Sequence, residues 1–297
     1  MSFSSDVKEE LSKISNLANK EAVKFEFIGY FLTSNVVVNK KDVSFSTESE
    51  YNINRFSKLL NNLNIVDYSI GIQGKVYTIY IGIDKIKERF QIINNDLKNI
   101  IEELKIPKDE NVQKAIVRGA LLGGGSINNP ENKYHAEILF SGKKEANIIY
   151  DILKKYDIKF KLLEKNDRCS LYSKEGETIA NLLAFIGANS AVLRFEEIRV
   201  MRDMRNNVNR VVNCETANLN KTINAAIKQI EDIKLIKKMN KFESLSDSLK
   251  EIAQLRIQNP EASLVELGKM LKNPVGKSGV NYRLKSISDI ADDLRKN

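Results

Sequence analysis

Tryptophan is absent from this 297-residue chain, proline occurs four times, cysteine twice and histidine once. Each scarcity argues against a class of function. Cys169 and Cys214 lie far apart with no metal-ligand spacing, so neither a zinc module nor a disulfide framework is encoded. Both read as small buried apolar groups in a reducing compartment. His135, the only histidine, alternates with Tyr134 and Ala136 in a strand-like run and reads as a partly exposed structural residue. No apolar run approaches the ~20 residues needed to span a bilayer. The opening "MSFSSDVKEELSKI" lacks a basic stretch leading into an apolar one, so no signal peptide is expected. A cytoplasmic protein with no membrane partner and no cofactor is the expectation.

What is present is an ordinary globular balance, 42% hydrophobic and 29% charged, with a net charge of +8. That surplus favours a polyanionic partner only if it is concentrated somewhere. The length allows two or three compact units.

Along the chain, residues 1–20 read as an amphipathic helical arm, with Val7, Leu11, Ile14 and Leu17 at helical spacing and Ser5 or Asp6 as the cap. From 21 to 110 follow a helix (Ala22 to Ser34), two short strands, a helix, a hairpin around Gln73-Gly74, and a helix through "DKIKERFQIINNDLKNIIEEL". The same order recurs from 111 to 195, and superposing Gly29 on Gly119 suggests two pseudo-equivalent α/β halves. Residues 196–240 read as an arginine-rich linker and then a long helix from about Thr216, with Ile223, Ile227, Ile230 and Ile233 along one side. Residues 241–297 read as a separate small helical domain.

The stretch "NPVGKSGVNYRLK" ends its first part like a nucleotide-binding P-loop, at Gly276-Lys277-Ser278. That motif needs a glycine five residues before Gly276, where Leu271 stands, and it follows a strand rather than a helix. Both requirements fail. Gly123-Gly124-Gly125 likewise has no strand before it and is better read as closing a packed helix into a turn.

A different plan fits the C-terminal residues. Ser263, with Glu266 three residues on, starts a helix that carries Leu264, Leu267 and Leu271 on one side, and Gly268 permits close approach of another helix. "KNPVGK" breaks the chain, Ser278 caps the next helix, and Val280, Leu284, Ile287 and Ala291 form its apolar stripe. With an upstream helix ended by Asn259-Pro260, this is the plan of a helix-turn-helix. Five Lys/Arg and one acid lie between Ser263 and Ser288. The candidate DNA contacts are Ser263, Lys277, Ser278, Asn281, Tyr282, Arg283 and Lys285. Asn can pair with adenine and Lys can reach guanine, while Ser, Tyr and Arg283 suit phosphates. A small bundle with a solvated basic face is the open alternative. Arg199, Arg202, Arg205 and Arg210 are further candidates for DNA backbone contact, with surface salt bridges an equal account.

"PEASLVELGKML", "KSGVNYRLKSISDIA", "NRVVNCETANLNKT" and "SFSSDVKEEL" together resemble the WhiA family of bacterial regulators, over essentially the whole chain. The resemblance implies an α+β fold: a degenerate two-repeat LAGLIDADG homing-endonuclease-like domain followed by an all-α helix-turn-helix domain. It implies a nucleoid-associated transcriptional role in cell division, chromosome segregation and, where the organism sporulates, differentiation. Its partner would be double-stranded promoter DNA, with another transcription regulator or RNA polymerase as further candidates.

In LAGLIDADG proteins two helices pack closely through small residues and each ends in an acid that binds a divalent metal. The matching packing positions here are Gly29 and Gly119, and the acid positions are Ser34 and Gly124. Neither carries a carboxylate, so no metal, catalytic residue or nuclease activity is expected. Lysines on the strands (Lys40, Lys41, Lys75, Lys159, Lys161, Lys165) are partly balanced by acids and read as solvated edges. A division-associated adaptor that binds proteins through the inactive scaffold is the runner-up.

Overall fold

A computed structural model describes residues 2–90, 106–165 and 168–296. The chain divides into two compact units, Met1–Asp203 and Met204–Asn297.

Unit 1 is built on two helices, α2 (Lys20–Phe31) and α5 (Glu110–Gly124). "AVKFEFIGYF" is apolar nearly all round, the mark of a helix buried on every side. Both starts are capped: Asn19 accepts from the Ala22 amide at 3.0 Å and Asp109 from the Val112 amide at 3.1 Å. Each central helix feeds a four-stranded antiparallel sheet. The first contains β1 (Val36–Val38), β2 (Asp42–Thr47), β3 (Tyr68–Gln73) and β4 (Val76–Gly82), in the spatial order β1-β2-β4-β3. The second contains β5 (Gly125–Ile127), β6 (Ala136–Phe140), β7 (Lys161–Lys165) and β8 (Arg168–Ser173), in the order β5-β6-β8-β7. The two orders are the same once corresponding strands are matched, so the expected repeat is topological.

Helices α3 (Glu50–Asn62) and α6 (Lys143–Lys155) link β2 to β3 and β6 to β7. Between β3 and β4, Gly74 adopts φ 60° in a two-residue turn, as the Gln73-Gly74 reading anticipated. Helix α4 (Ile83–Phe90) follows, and the rest of the helix expected through residue 104 lies outside the described residues. Helix α7 (Gly176–Ile186) ends on Gly187 at φ 90°.

The N-terminal amphipathic segment packs onto unit 1. Helix α1 (Phe3–Ser12) buries Phe3, Val7 and Leu11 in the main core. Its cap is Ser2, not Ser5 or Asp6. The Glu10 carboxylate accepts from the amides of Ser190 and Ala191 at 2.7 and 2.9 Å, capping the start of the following long helix.

That long helix, α8 (Asn189–Lys238), replaces the expected linker: 194–210 is helical throughout. Without Gly or Pro nothing in it breaks the ladder. The isoleucine stripe is buried only at its far end. Ile223 and Ile227 are exposed, Ile230 is half-buried, and Ile233 and Ile236 enter the second core. Cys214 lies exposed on this helix, contrary to expectation, whereas Cys169 is buried.

Unit 2 therefore begins well before residue 241. Beyond α8 it contains a 3-10 turn (Phe242–Ser244), α9 (Asp247–Gln258), α10 (Leu264–Met270) and α11 (Lys277–Lys296). Its core joins Ile233 and Ile236 to Ile252, Leu267, Leu271, Val280, Leu284, Ile287 and Ala291. Arg256 is buried but satisfied in part, donating from Nη1 to Ala262 O at 2.7 Å and holding the α9–α10 loop.

Candidate nucleic-acid interface

Helix α10 starts with a full capping box. The Glu266 amide donates to Ser263 Oγ at 3.3 Å, and the Ser263 amide donates to Glu266 Oε2 at 2.8 Å. Those bonds, the backbone one first, hold the Glu266 carboxyl below its ordinary range. Ser263 Oγ thus accepts from the helix, and its hydroxyl proton is left to donate to a phosphate.

The chain then turns through residues 271–276. A Cβ on Gly268 would overlap Val275 O and lie 3.2 Å from Val280 Cγ2. The close approach is made both by the turn, at Val275, and by the following helix, at Val280. Gly268 O also accepts from the Val275 amide at 3.1 Å. Helix α11 begins at Lys277, so Ser278 lies in its first turn rather than at the cap.

From there the period of α11 sorts its residues. Val280, Leu284, Ile287 and Ala291 are buried. Lys277, Ser278, Asn281, Tyr282 and Lys285 are exposed, Tyr282 to 74%, and Arg283 is half-buried at the edge. Among the described residues, no hydrogen bond or ion pair engages any of these six side chains. Lys277, Ser278, Asn281, Tyr282 and Lys285 thus make one helical face of donors and an aromatic ring, with a four-residue apolar stripe on the other side and Arg283 at the far edge of that stripe.

The arginine run divides. Arg199 pairs with Glu196 at 2.9 Å, and Arg202 donates to Pro130 O while its guanidinium lies 4.4 Å from the Tyr134 ring centre. Arg194, beside them, pairs with Asp6 at 2.7 Å. These three already have partners within unit 1. Arg205 and Arg210 are exposed, with no such partner among the described residues.

The four positions matched to the nuclease motif come together at the α2–α5 pair. A Cβ on Gly29 would overlap Ile116 O and lie 2.9 Å from Gly119 Cα, and a Cβ on Gly119 would overlap Glu26 O. At the far ends of the helices, a Cβ on Gly124 would stand 2.5 Å from Leu139 O and 2.8 Å from Thr33 Cβ. The Ser34 amide donates to that same Leu139 O at 3.2 Å, and Asn35 Nδ2 donates to Gly123 O at 2.8 Å. Gly123 and Gly124 are thus required by close approach, not by a turn: Gly125, which ends the helix, has φ −87° and enters β5 directly.

The divalent metal of active homing endonucleases does not fit these residues. A glycine and a serine supply no carboxylate, and the glycine position has no space for one. Among the described residues, no group of three or more His, Cys, Asp or Glu could hold a metal ion.

Sequence reasoning missed the polar centre of unit 1. Glu26, fully buried on α2, accepts from Arg55 Nε at 2.7 Å and Nη2 at 2.9 Å. Tyr30 donates to Asn52 Oδ1 at 2.6 Å, and Asn52 Nδ2 donates to Leu122 O at 2.8 Å. The signal available was a glutamate in the middle of an otherwise apolar helix, which must find a cation if it is buried.

Comparison with known proteins bears directly on both units. The WhiA LAGLIDADG-like domain matches residues 113–205 and the WhiA C-terminal HTH domain matches residues 208–291. A protein named "Probable cell division protein WhiA" from Clostridium tetani is 40% identical over 100% of this chain and 99% of its own. The chain belongs to the WhiA family. A second relative of that name, from Clostridium beijerinckii, is 39% identical over 99% of each chain. The crystal structure of full-length DUF199/WhiA from Thermatoga maritima aligns over 99% of both chains with a TM-score of 0.60 and 27% identity. The isolated N-terminal LAGLIDADG domain of DUF199/WhiA aligns over 62% of this chain and 90% of its own, with a TM-score of 0.51 and 22% identity, a likeness of fold. The fold is therefore α+β, a two-repeat LAGLIDADG-like domain followed by an all-α helix-turn-helix domain of the kind that binds DNA. Among the described residues, no helix is long and apolar enough to cross a membrane.

Proposed function

We propose that this WhiA-family chain is a non-enzymatic, sequence-specific regulator of transcription that binds double-stranded promoter DNA through α11. The observation that carries the reading is the exposed face formed by Lys277, Ser278, Asn281, Tyr282 and Lys285, free of partners among the described residues. Asn281 and Lys285 lie one turn apart on that face and suit adjacent base edges in the major groove. Lys277, exposed at the helix start, suits a phosphate. Ser263, Ser278, Tyr282 and Arg283 flank them as backbone contacts, and Arg205 and Arg210 supply further phosphate contacts. The relatives' name places them in cell division. Control of genes for division, chromosome segregation and sporulation is the corresponding role here, in a nucleoid-associated location and with another regulator or RNA polymerase as protein partner.

The lack of a carboxylate at Ser34 and Gly124, the positions matched to the metal-holding acids, supports the non-enzymatic part. Plasmid incubated with the purified chain and Mg²⁺ or Mn²⁺ remains supercoiled on this reading, and nicking above a buffer control refutes it. For DNA binding, genome-wide mapping of bound sites compares the wild-type chain with an Asn281→Ala, Lys285→Ala double variant. Discrete sites vanish in the variant if α11 reads sequence. Retention of the same sites would transfer recognition elsewhere on the protein.

A further inference from the structure

Unit 1 holds a cleft of about 750 Å³ at the N-terminal ends of α2 and α5, opposite the ends where Ser34 and Gly124 lie. Lys13, Lys114 and Arg118 line it, and among the described residues no acidic one does. The two lysines already have carboxylate partners on their own helices, Glu9 and Glu110, each at 2.6 Å. Arg118 does not. Its side chain is 7% exposed, and its only carboxylate partner within 4 Å among the described residues is Glu26 at 3.7 Å, beyond hydrogen-bond range. Glu26 is already held by Arg55 through two short bonds. Arg118 Nε is buried with no hydrogen-bond partner.

One carboxylate thus serves two buried guanidinium groups, which leaves one positive charge uncompensated. Buried charges without a partner are costly, and burial lowers the Arg118 pKa accordingly. Guanidinium cannot escape by losing its proton at physiological pH, so a site that keeps Arg118 in this position gains from an anion in the cleft. The remaining lining has the composition of a ligand site. Asn19, Asn111 and Asn189 offer amides, while Ala22, Phe185 and Ile186 form an apolar wall.

We propose that this cleft binds a small-molecule anion, a compact phosphate or carboxylate head on a small apolar body, with Arg118 holding the head. The location, within unit 1 and at the opposite helix ends from Ser34 and Gly124, makes it a site of its own, and the proposal does not depend on how the chain binds DNA.

Titration calorimetry on the full chain at constant ionic strength tests this, with phenyl phosphate and benzoate as separate probes. At least one probe binds saturably at a single site, and the responding probe identifies the head group. Affinity falls tenfold or more in Arg118→Gln, and equally in Ala184→Glu, which places a carboxylate at an exposed position on the cleft rim. Should Arg118→Gln fail to fold, the rim variant decides alone. Lys277→Ala leaves the binding unchanged. The proposal is overturned if neither probe saturates, if Ala184→Glu binds as tightly as wild type, or if Lys277→Ala abolishes the signal, which would put the anion on the helix-turn-helix.

Discussion

Gly29 and Gly119 meet backbone to backbone: a Cβ built on Gly29 would lie 2.9 Å from Gly119 Cα, and one on Gly119 would lie 3.1 Å from Gly29 Cα. Neither glycine has a positive φ, so the requirement is space and not conformation. Added methyl groups would meet carbonyl oxygens, which cannot swing aside as side chains do. Gly29→Ala and Gly119→Ala therefore each destabilise unit 1 by about 1–3 kcal/mol or more, despite the better helix propensity of alanine. Gly276→Ala, with nothing within 4 Å, should be close to neutral. Urea unfolding of the three variants measures the contrast, and equal midpoints would show that the helix pair is not so tightly apposed.

On α11 the expected effects separate by chemistry. Asn281→Ala costs about 1–3 kcal/mol of discrimination at one base pair while leaving non-specific binding nearly unchanged. Lys277→Ala weakens all sequences alike and reduces the salt slope by about one. Gel-shift titrations at several salt concentrations, with matched and scrambled DNA, distinguish the two. If both changes left binding intact, α11 would not be the reading helix.

The arginines of α8 give a paired test. Arg202→Ala removes a carbonyl bond and a stacked cation, so it lowers the thermal midpoint of unit 1 by the equivalent of about 1–2 kcal/mol and leaves the DNA salt slope alone. Arg205→Ala with Arg210→Ala has the reverse signature, a shallower salt slope at unchanged stability. A thermal scan and a salt titration on each variant check the exchange of effects.

Burial lowers the Lys8 ammonium from 10.5 to about 8. The unfolded chain keeps that proton up to about 10.4, so between these values the unfolded state binds more protons and stability rises with pH. Below about 8 both states are charged and the burial penalty is constant. Lys8→Met should therefore stabilise the protein at pH 7, with a ceiling of about 3 kcal/mol. The gain shrinks as pH approaches 10. Equal gains at pH 7 and pH 10 would mean the ammonium is solvated in the folded state.

The adaptor alternative is tested by deletion of residues 241–297. A chain acting through its nuclease-like scaffold still rescues a division defect after the deletion, whereas a DNA reader does not.

Much of the architecture was legible because the local signals agreed with one another. The capping box at Ser263, the apolar stripe from Val280 to Ala291, the hairpin at Gly74 and the Gly29–Gly119 correspondence each follow from spacing that short-range sterics enforce. Failures clustered where burial had to be known. The 194–210 run looks like a linker because it is polar, yet polarity is compatible with an exposed helix that lacks Gly and Pro. Cys214 was placed inside on the habits of its residue type, and the middle of α8 is exposed. The apolar side of residues 1–20 was legible in Val7 and Leu11, but only the fold shows that it fills the main core together with Phe3.

By itself the sequence determined most of the helices and strands, that the two halves repeat, and that Ser34 and Gly124 carry no carboxylate, since these depend on residue identity and period alone. Tertiary structure decided which charges are spent. Arg199 and Arg202 are consumed by neighbours brought near in space, Arg118 is left without a full partner beside Glu26, and the α11 face remains open. The physical reason is that a side chain's worth depends on desolvation and on distances to residues remote in sequence, and folding alone fixes both.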